Sequence, residues 1–234
     1  ISILNSSINT KYSIKDQIII FQSDGSKTFN SKINYNGQLA INPFDLNLKI
    51  DLYNYKISNL FRSNSIINEF IKSGLLFNEN ISVHTLVNIE NTKIDKIFNE
   101  AKLKLKILNG KISFDKSVFI NNNIGLIEVS NSDLFLENDK LILTANLSID
   151  IKDPDRLYSF LITNKRLRKD IKNIKLNIIY DFLGNEIAFK NIKIDDNKVS
   201  DQFYNIAEGF NDNNSNNLTK SRRLLNELIG LYEG

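Results

Sequence analysis

Cysteine, methionine and tryptophan are absent from these 234 residues; proline occurs twice and histidine once. Without cysteine there is no disulfide, no thiolate nucleophile and no thiolate metal site. A centre built on the single histidine, His84, would have to draw its other groups from carboxylates. His84 stands at the strand parity opposite to Val83 and Thr85, the pattern of an exposed or edge side chain, with a ligand role as the other reading. Charge of one sign is also lacking. Lys+Arg number 30 and Asp+Glu 27, net +3, a mixed surface rather than the footprint of a nucleic-acid binder. No apolar run approaches the roughly 20 residues that cross a bilayer as a helix. Phosphate-cradling glycine motifs, a Gly-x-Ser-x-Gly elbow and His-Glu-x-x-His do not occur. Asp150, Asp153 and Asp155 do not have the spacing of a calcium loop. No catalytic residue, cofactor or metal is therefore expected, and the chain does not read as an enzyme.

What is present is alternation. Ile33, Tyr35, Leu39 and Ile41 share one parity, and Phe44, Leu46, Leu48, Ile50 and Leu52 share the other. A regular strand cannot change faces, so Asn42-Pro43 marks a turn or bulge. Ile81, Val83, Thr85, Val87 and Ile89 form another set. Leu103, Leu105 and Ile107 lead into Asn109-Gly110 and on to Ile112 and Phe114, a strong hairpin signal because both turn residues need positive φ. Gly125, Ile127 and Val129 are followed by Leu134 and Leu136. Leu176, Ile178 and Tyr180 run to Gly184-Asn185, then Ile187, Phe189, Ile192 and Ile194. The fold class expected is mainly β: a long, twisted antiparallel meander sheet curved into a groove, with a few short helices.

The segment Leu141–Ile151 (LILTANLSIDI) is the most telling. It would extend about 35 Å at roughly 3.3 Å per residue, against a usual strand of about 5–6 residues. Leaving its apolar row in water would forfeit roughly 1.5–3 kcal/mol per large side chain, so a second sheet, helices or an apolar ligand must cover it. Helices are expected at Ser65–Ser73, after Asp153-Pro154-Asp155, where Asp caps and Pro suits the first turn, and at Asp201–Phe210. These look too few and too short to roof so many strands. Residues 1–200 are read as one β-groove region, and residues 201–234 as short helices and a polar linker (Asn211–Lys220), the tail of this unit or the start of a next one. The first residue is Ile and no Met occurs, so the chain reads as a segment of a longer protein whose leader or anchor lies elsewhere.

A resemblance adds to this reading. Asn109–Asp115 (NGKISFD), Gly125–Val129 (GLIEV), Leu141–Ile151, Asp153–Leu161 (DPDRLYSFL), Arg166–Lys169, Lys175–Phe182 (KLNIIYDF) and Asn191–Asp195 follow one another in an order that resembles the C-terminal region of AsmA-like envelope proteins. Pro43–Leu48 (PFDLNL) with Tyr55–Phe61 (YKISNLF) is similar to the strand-then-helix element of that group. The likeness covers residues 30–200 and is one of rhythm, with no chemically unique motif.

The AsmA/TamB/YhdP superfamily comprises bridge-like lipid-transfer proteins. What the resemblance implies is a protein of the Gram-negative cell envelope, anchored by a part outside this segment and facing the periplasm from the inner membrane. Its β-groove would conduct phospholipid toward the outer membrane, in outer-membrane biogenesis and maintenance. Phospholipid acyl chains would be the partner, with an envelope protein as a second. Period 2 would put one apolar stripe on the concave side. The candidate lining is Leu103, Leu105, Ile107, Ile112, Phe114, Leu141, Leu143, Leu147, Ile149, Leu176, Ile178 and Tyr180. The basic run Lys165, Arg166, Arg168, Lys169 and Lys172 is either a solvated face or a contact for anionic head groups or an acidic partner.

Two other readings stay open. One is a closed-core all-β structural or protein-interaction domain of the cell envelope. The other is part of an outer-membrane barrel, whose signature is alternating segments of about ten residues; the helix candidates and polar tail argue against it.

Overall fold

Alternation becomes strand after strand in a computed structural model, which describes residues 2–3, 6–28, 31–57, 75–90, 98–138, 140–184, 186–211 and 218–232. The helix expected over 65–73, residues 58–61, Asp139, Asn185 and most of the 211–220 linker lie outside the described residues. Contacts divide the chain into two units, residues 1–121 and 122–234.

The first unit contains β1 (Ser2–Ile3), β2 (Ser6–Ser7), β3 (Thr10–Lys15), β4 (Ile18–Ser23), β5 (Lys27–Thr28), β6 (Ser31–Ala40), β7 (Phe44–Tyr53), β8 (Ile81–Glu90), β9 (Glu100–Leu108), β10 (Lys111–Ser113) and β11 (Val118–Asn121). Side by side the main strands run β3-β4-β6-β7-β8-β9, with β10 and β11 both on β9 and the short β1-β2-β5 series joining β6. One pair departs from the expected antiparallel meander: β7 and β8 are parallel. A parallel return needs a crossover of a dozen or more residues, and residues 54–80 provide it. At the β9–β10 hairpin Asn109 and Gly110 have φ of 51° and 70°, the left-handed pair that such a turn requires.

Register lines the apolar residues up in rungs across these strands. Ile14, Ile19, Leu39, Leu46, Val83, Ile107 and Ile112 form one rung; Leu52, Ile89, Ala101 and Phe119 belong to another. The face between the rungs is polar: Asn36, Lys49, Leu86 and Lys104 are one of its rows. The first unit is thus one-sided, as period 2 requires. At one end Leu52, Tyr55, Ile57, Val87, Ile89 and Ala101 close into a buried cluster with Phe98 and Phe119 against it.

The second unit contains β12 (Gly125–Glu137), β13 (Lys140–Ile151), β14 (Asn173–Asp181), β15 (Glu186–Ile194) and β16 (Asn197–Lys198), antiparallel in sequence order. Its helices are α1 (Pro154–Leu161), α2 (Asp201–Ala207) and α3 (Leu218–Leu231). Two β-bulges explain parity changes visible in the sequence. Asn131 and Ser132 lie opposite the single Ala145, so Ile127, Val129, Leu134 and Leu136 all reach one face from a single 13-residue strand. Asn191 and Ile192 lie opposite Leu176, which puts Ile187, Phe189, Ile192 and Ile194 on one face. An extra residue on one strand is what such a change demands.

Helix α1 begins as its sequence dictates: Asp153 accepts a hydrogen bond from Arg156 N at 3.0 Å and Pro154 fills the first position. The helices do more than the sequence suggested. Tyr158 and Leu161 of α1, Phe203 of α2, and Leu228 and Ile229 of α3 form one buried core with Ile151, Ile171, Ile192 and Ile194 of the sheet side. Residues 201–211 and 218–232 therefore contribute to this unit's core.

Candidate functional site

Each sequence-selected lining residue that lies in a strand falls on the apolar face of its own unit, at differing depth; Phe114 follows the end of β10. In residues 1–121, Ile107 and Ile112 are fully buried, and half-buried Leu103 packs against the cluster around Ile89. Leu105 and Phe114 are half-buried. Ile19, Phe21, Leu39, Leu46 and Leu48 are likewise half-buried on that face, and Tyr12 and Ile14 at the β3 edge are 70% and 67% exposed. Among the described residues of this unit the one helical element is the single turn Leu75–Phe77, which contacts β10.

In residues 122–234 the long strand is divided along its length. Ile149 and Leu176 pack against the helical core, and Leu141 is buried. Leu143, Leu147, Ile178 and Tyr180 are half-buried and stand outside the helical cluster. Tyr180 makes an edge-to-face contact with Phe182 at 4.7 Å, and burial pushes its phenol pKa upward. What covers β13 is thus helix over its Ile149–Ile151 end.

Polar devices hold this roof. The Tyr158 hydroxyl, buried under α1, accepts from Lys169 N at 3.0 Å and donates to Lys169 O. Burial raises its pKa, against the backbone hydrogen bond, which lowers it. Asn226 of α3 donates to Leu161 O at 3.0 Å and accepts from the Thr163 hydroxyl, which ties α3 to the end of α1. Asp181 accepts from Gly184 N at 3.0 Å and Leu183 N at 2.9 Å, with Lys140 at 3.6 Å. The Gly184 hydrogen bond, helped by that of Leu183 and by Lys140, holds its carboxyl below the usual range against the opposing effect of burial.

The basic run is partly engaged within the fold. Arg168 lies 3.6 Å from Asp155, donates to Thr163 O at 3.3 Å and stacks over the Tyr158 ring; Lys172 lies 3.4 Å from Asp170. Lys165 and Arg166 are exposed. Asp195 and Asp196 form the β15–β16 turn, both with positive φ.

Sequence reasoning passed over the opposite face. In residues 36–116 a concavity of about 1080 Å³ is bordered by Asn36, Gln38, Asn47, Lys49, His84 and Lys104, among others. By strand parity these belong to the polar side, opposite to Leu48 and Leu105. The signal was available: in Lys102–Lys106 (KLKLK) the lysines alternate as regularly as the leucines. His84 lies exposed there, with Asn47 and Lys106 beside it on the neighbouring strands. Among the described residues no group of three or more His, Asp or Glu side chains could hold a metal. No described helix is long and apolar enough to cross a membrane. No family model, curated protein or solved structure matches the chain.

Proposed function

We propose that this chain is a non-enzymatic module of an AsmA-like protein, holding phospholipid acyl chains against the apolar face of its sheet. On this reading it works from the periplasmic side of the inner membrane in a Gram-negative envelope and serves lipid movement between the two membranes. The observation that supports it is the one-sided sheet of residues 6–121. Its apolar rungs pass through seven strands; Val83, Ile107 and Ile112 are buried, Ile19, Leu39, Leu46, Leu48 and Leu105 stay half-buried, and the β3 edge stays largely open. An exposed apolar surface of this extent marks an interaction site in a soluble fold. Each acyl methylene laid against it would gain about 0.8 kcal/mol.

A photo-crosslinking amino acid at Leu48 or Leu105 tests the proposal. Cross-links to co-purified phospholipid are expected there and not at Asn34 or Lys102, which share the sheet at the opposite parity. Equal labelling of both faces, or none, refutes it. The competing closed-core interaction domain is favoured by the helical roof of residues 122–234. Leu105→Asp and Leu143→Asp separate the two readings. Under the lipid reading both variants keep a cooperative melt and lose lipid; in a closed core a buried charge costs several kcal/mol and unfolds the domain.

A further inference from the structure

We infer that the lysine-bordered concavity on the polar face of residues 36–116 is an anion site for a small ligand carrying two or more phosphate groups. The whole chain is nearly balanced in charge, with 30 basic and 27 acidic residues. The residues bordering this concavity are not: Lys49, Lys104, Lys106, Lys111 and Lys116 stand there with Asp115 as the one carboxylate. Lys49 is neutralised by Asp51 at 3.4 Å. Among the described residues, Lys104, Lys106, Lys111 and Lys116 have no carboxylate within ion-pairing distance. Like charges gathered without counter-charges repel, and a bound polyanion relieves that repulsion.

Spacing and chemistry select the ligand. Lys104 and Lys106 are two residues apart on one strand face, about 6.6 Å along it, and Lys106 lies across from Ser113. Lys104, Lys106, Lys111 and Lys116 together carry four positive charges, more than the charge of about −2 on one phosphate offsets, so a ligand with several phosphates matches them better. No arginine borders the concavity, so planar bidentate recognition of carboxylate is not its design, whereas lysine serves phosphate as a point charge. No Phe, Tyr or Trp borders it either, and the lone imidazole of His84 does not make the run of stacking rings that single-stranded nucleic acid uses. A volume of about 1080 Å³ suits a small molecule.

The wall is built before any ligand arrives. Between β10 and β11, the buried Ser117 takes the place of a strand partner for β9. Its hydroxyl accepts from Lys104 N at 2.9 Å and donates to Lys104 O at 3.4 Å. Ser113 Oγ accepts from Asp115 N at 3.2 Å and shapes the next turn. The Lys104 main chain is therefore fixed in place, and a preorganised wall loses less on binding. The inference goes beyond the acyl-chain proposal and does not depend on it.

The test is calorimetric titration of the chain with tripolyphosphate at low and moderate salt. One saturable, salt-sensitive site is expected, weakened at least tenfold in Lys104→Gln/Lys106→Gln. Lys175→Gln/Lys193→Gln serves as the control. It alters the other concavity, about 850 Å³ within residues 130–204, where Lys175 is paired with Asp196 at 2.9 Å; binding is expected to stay within twofold. Thermal melts of both variants confirm folding. Co-sedimentation with phosphatidylcholine vesicles, with and without the two-phosphate lipid cardiolipin, distinguishes the source. Binding to the anionic vesicles that the first variant loses assigns a lipid head group; tripolyphosphate binding without vesicle binding assigns a free phosphorylated compound. No binding to either probe, or equal weakening by both variants, overturns the inference.

Discussion

Replacing Leu228 by alanine removes three carbons from the underside of α3, where the side chain is 7% exposed against Tyr158, Leu161, Phe203 and the β15 isoleucines. At about 0.8 kcal/mol per buried carbon the transfer loss is about 2.4 kcal/mol. A cavity adds to this, and leucine-to-alanine changes in cores run about 2–5 kcal/mol. Helix α3 packs on α1 and α2 from outside and can settle inward, so a value of about 3 kcal/mol is expected. In a chain of this size that lowers Tm by about 6–12 °C. Leu225, one turn away and 37% exposed, is the control; its change to alanine should cost under about 1 kcal/mol. Urea unfolding of both variants, followed by circular dichroism, reads the difference at unchanged slope. If Leu228→Ala costs no more than Leu225→Ala, α3 is a dangling tail and the helical roof is wrong.

Tyr158→Phe should cost about 1–3 kcal/mol, because Lys169 N and O then lose their buried hydroxyl partner; chemical denaturation measures it, and a neutral outcome refutes the pairing. Asp181→Asn tests the depressed carboxylate. A lowered folded pKa contributes stability that is present above the ordinary carboxylate value of about 4 and disappears as pH falls through the folded value. The gap between wild type and Asp181→Asn should hold from neutral pH to about 5 and close in more acidic buffer; a gap independent of pH contradicts the cause assigned. Gly125→Ala should be severe, above about 2 kcal/mol: the residue has φ of 152°, and a Cβ there would lie 2.0 Å from Asp150 O. A melt unchanged from wild type would show that the β12–β13 junction can open at no cost.

Much of the strand pattern was legible because side-chain alternation is a property of consecutive residues. Asn109-Gly110, the Asp153 cap and the apolar row of β13 are all written within a few positions. The parity jumps at Val129–Leu134 and Phe189–Ile192 were visible too, but whether each meant a turn or a bulge depended on what lay opposite, Ala145 and Leu176. The parallel β7–β8 pair could not be read, since antiparallel and parallel strands share the same period. The roof of α1, α2 and α3 was missed because Phe203, Leu228 and Ile229 gain their burial only from partners up to 78 residues away along the chain, Ile151 among them. The lysine-bordered concavity escaped for the opposite reason. Lysine on the solvent face of a one-sided strand is ordinary in one dimension, and only the lateral register of β6, β7, β8 and β9 gathers those charges.

The sequence alone determined that this would be a one-sided β protein without thiol chemistry, because composition and period act residue by residue. Tertiary structure decided which stretches of the apolar face are sealed and which stay within reach of solvent. Burial belongs to pairs of surfaces, and the second surface is supplied by residues far along the chain.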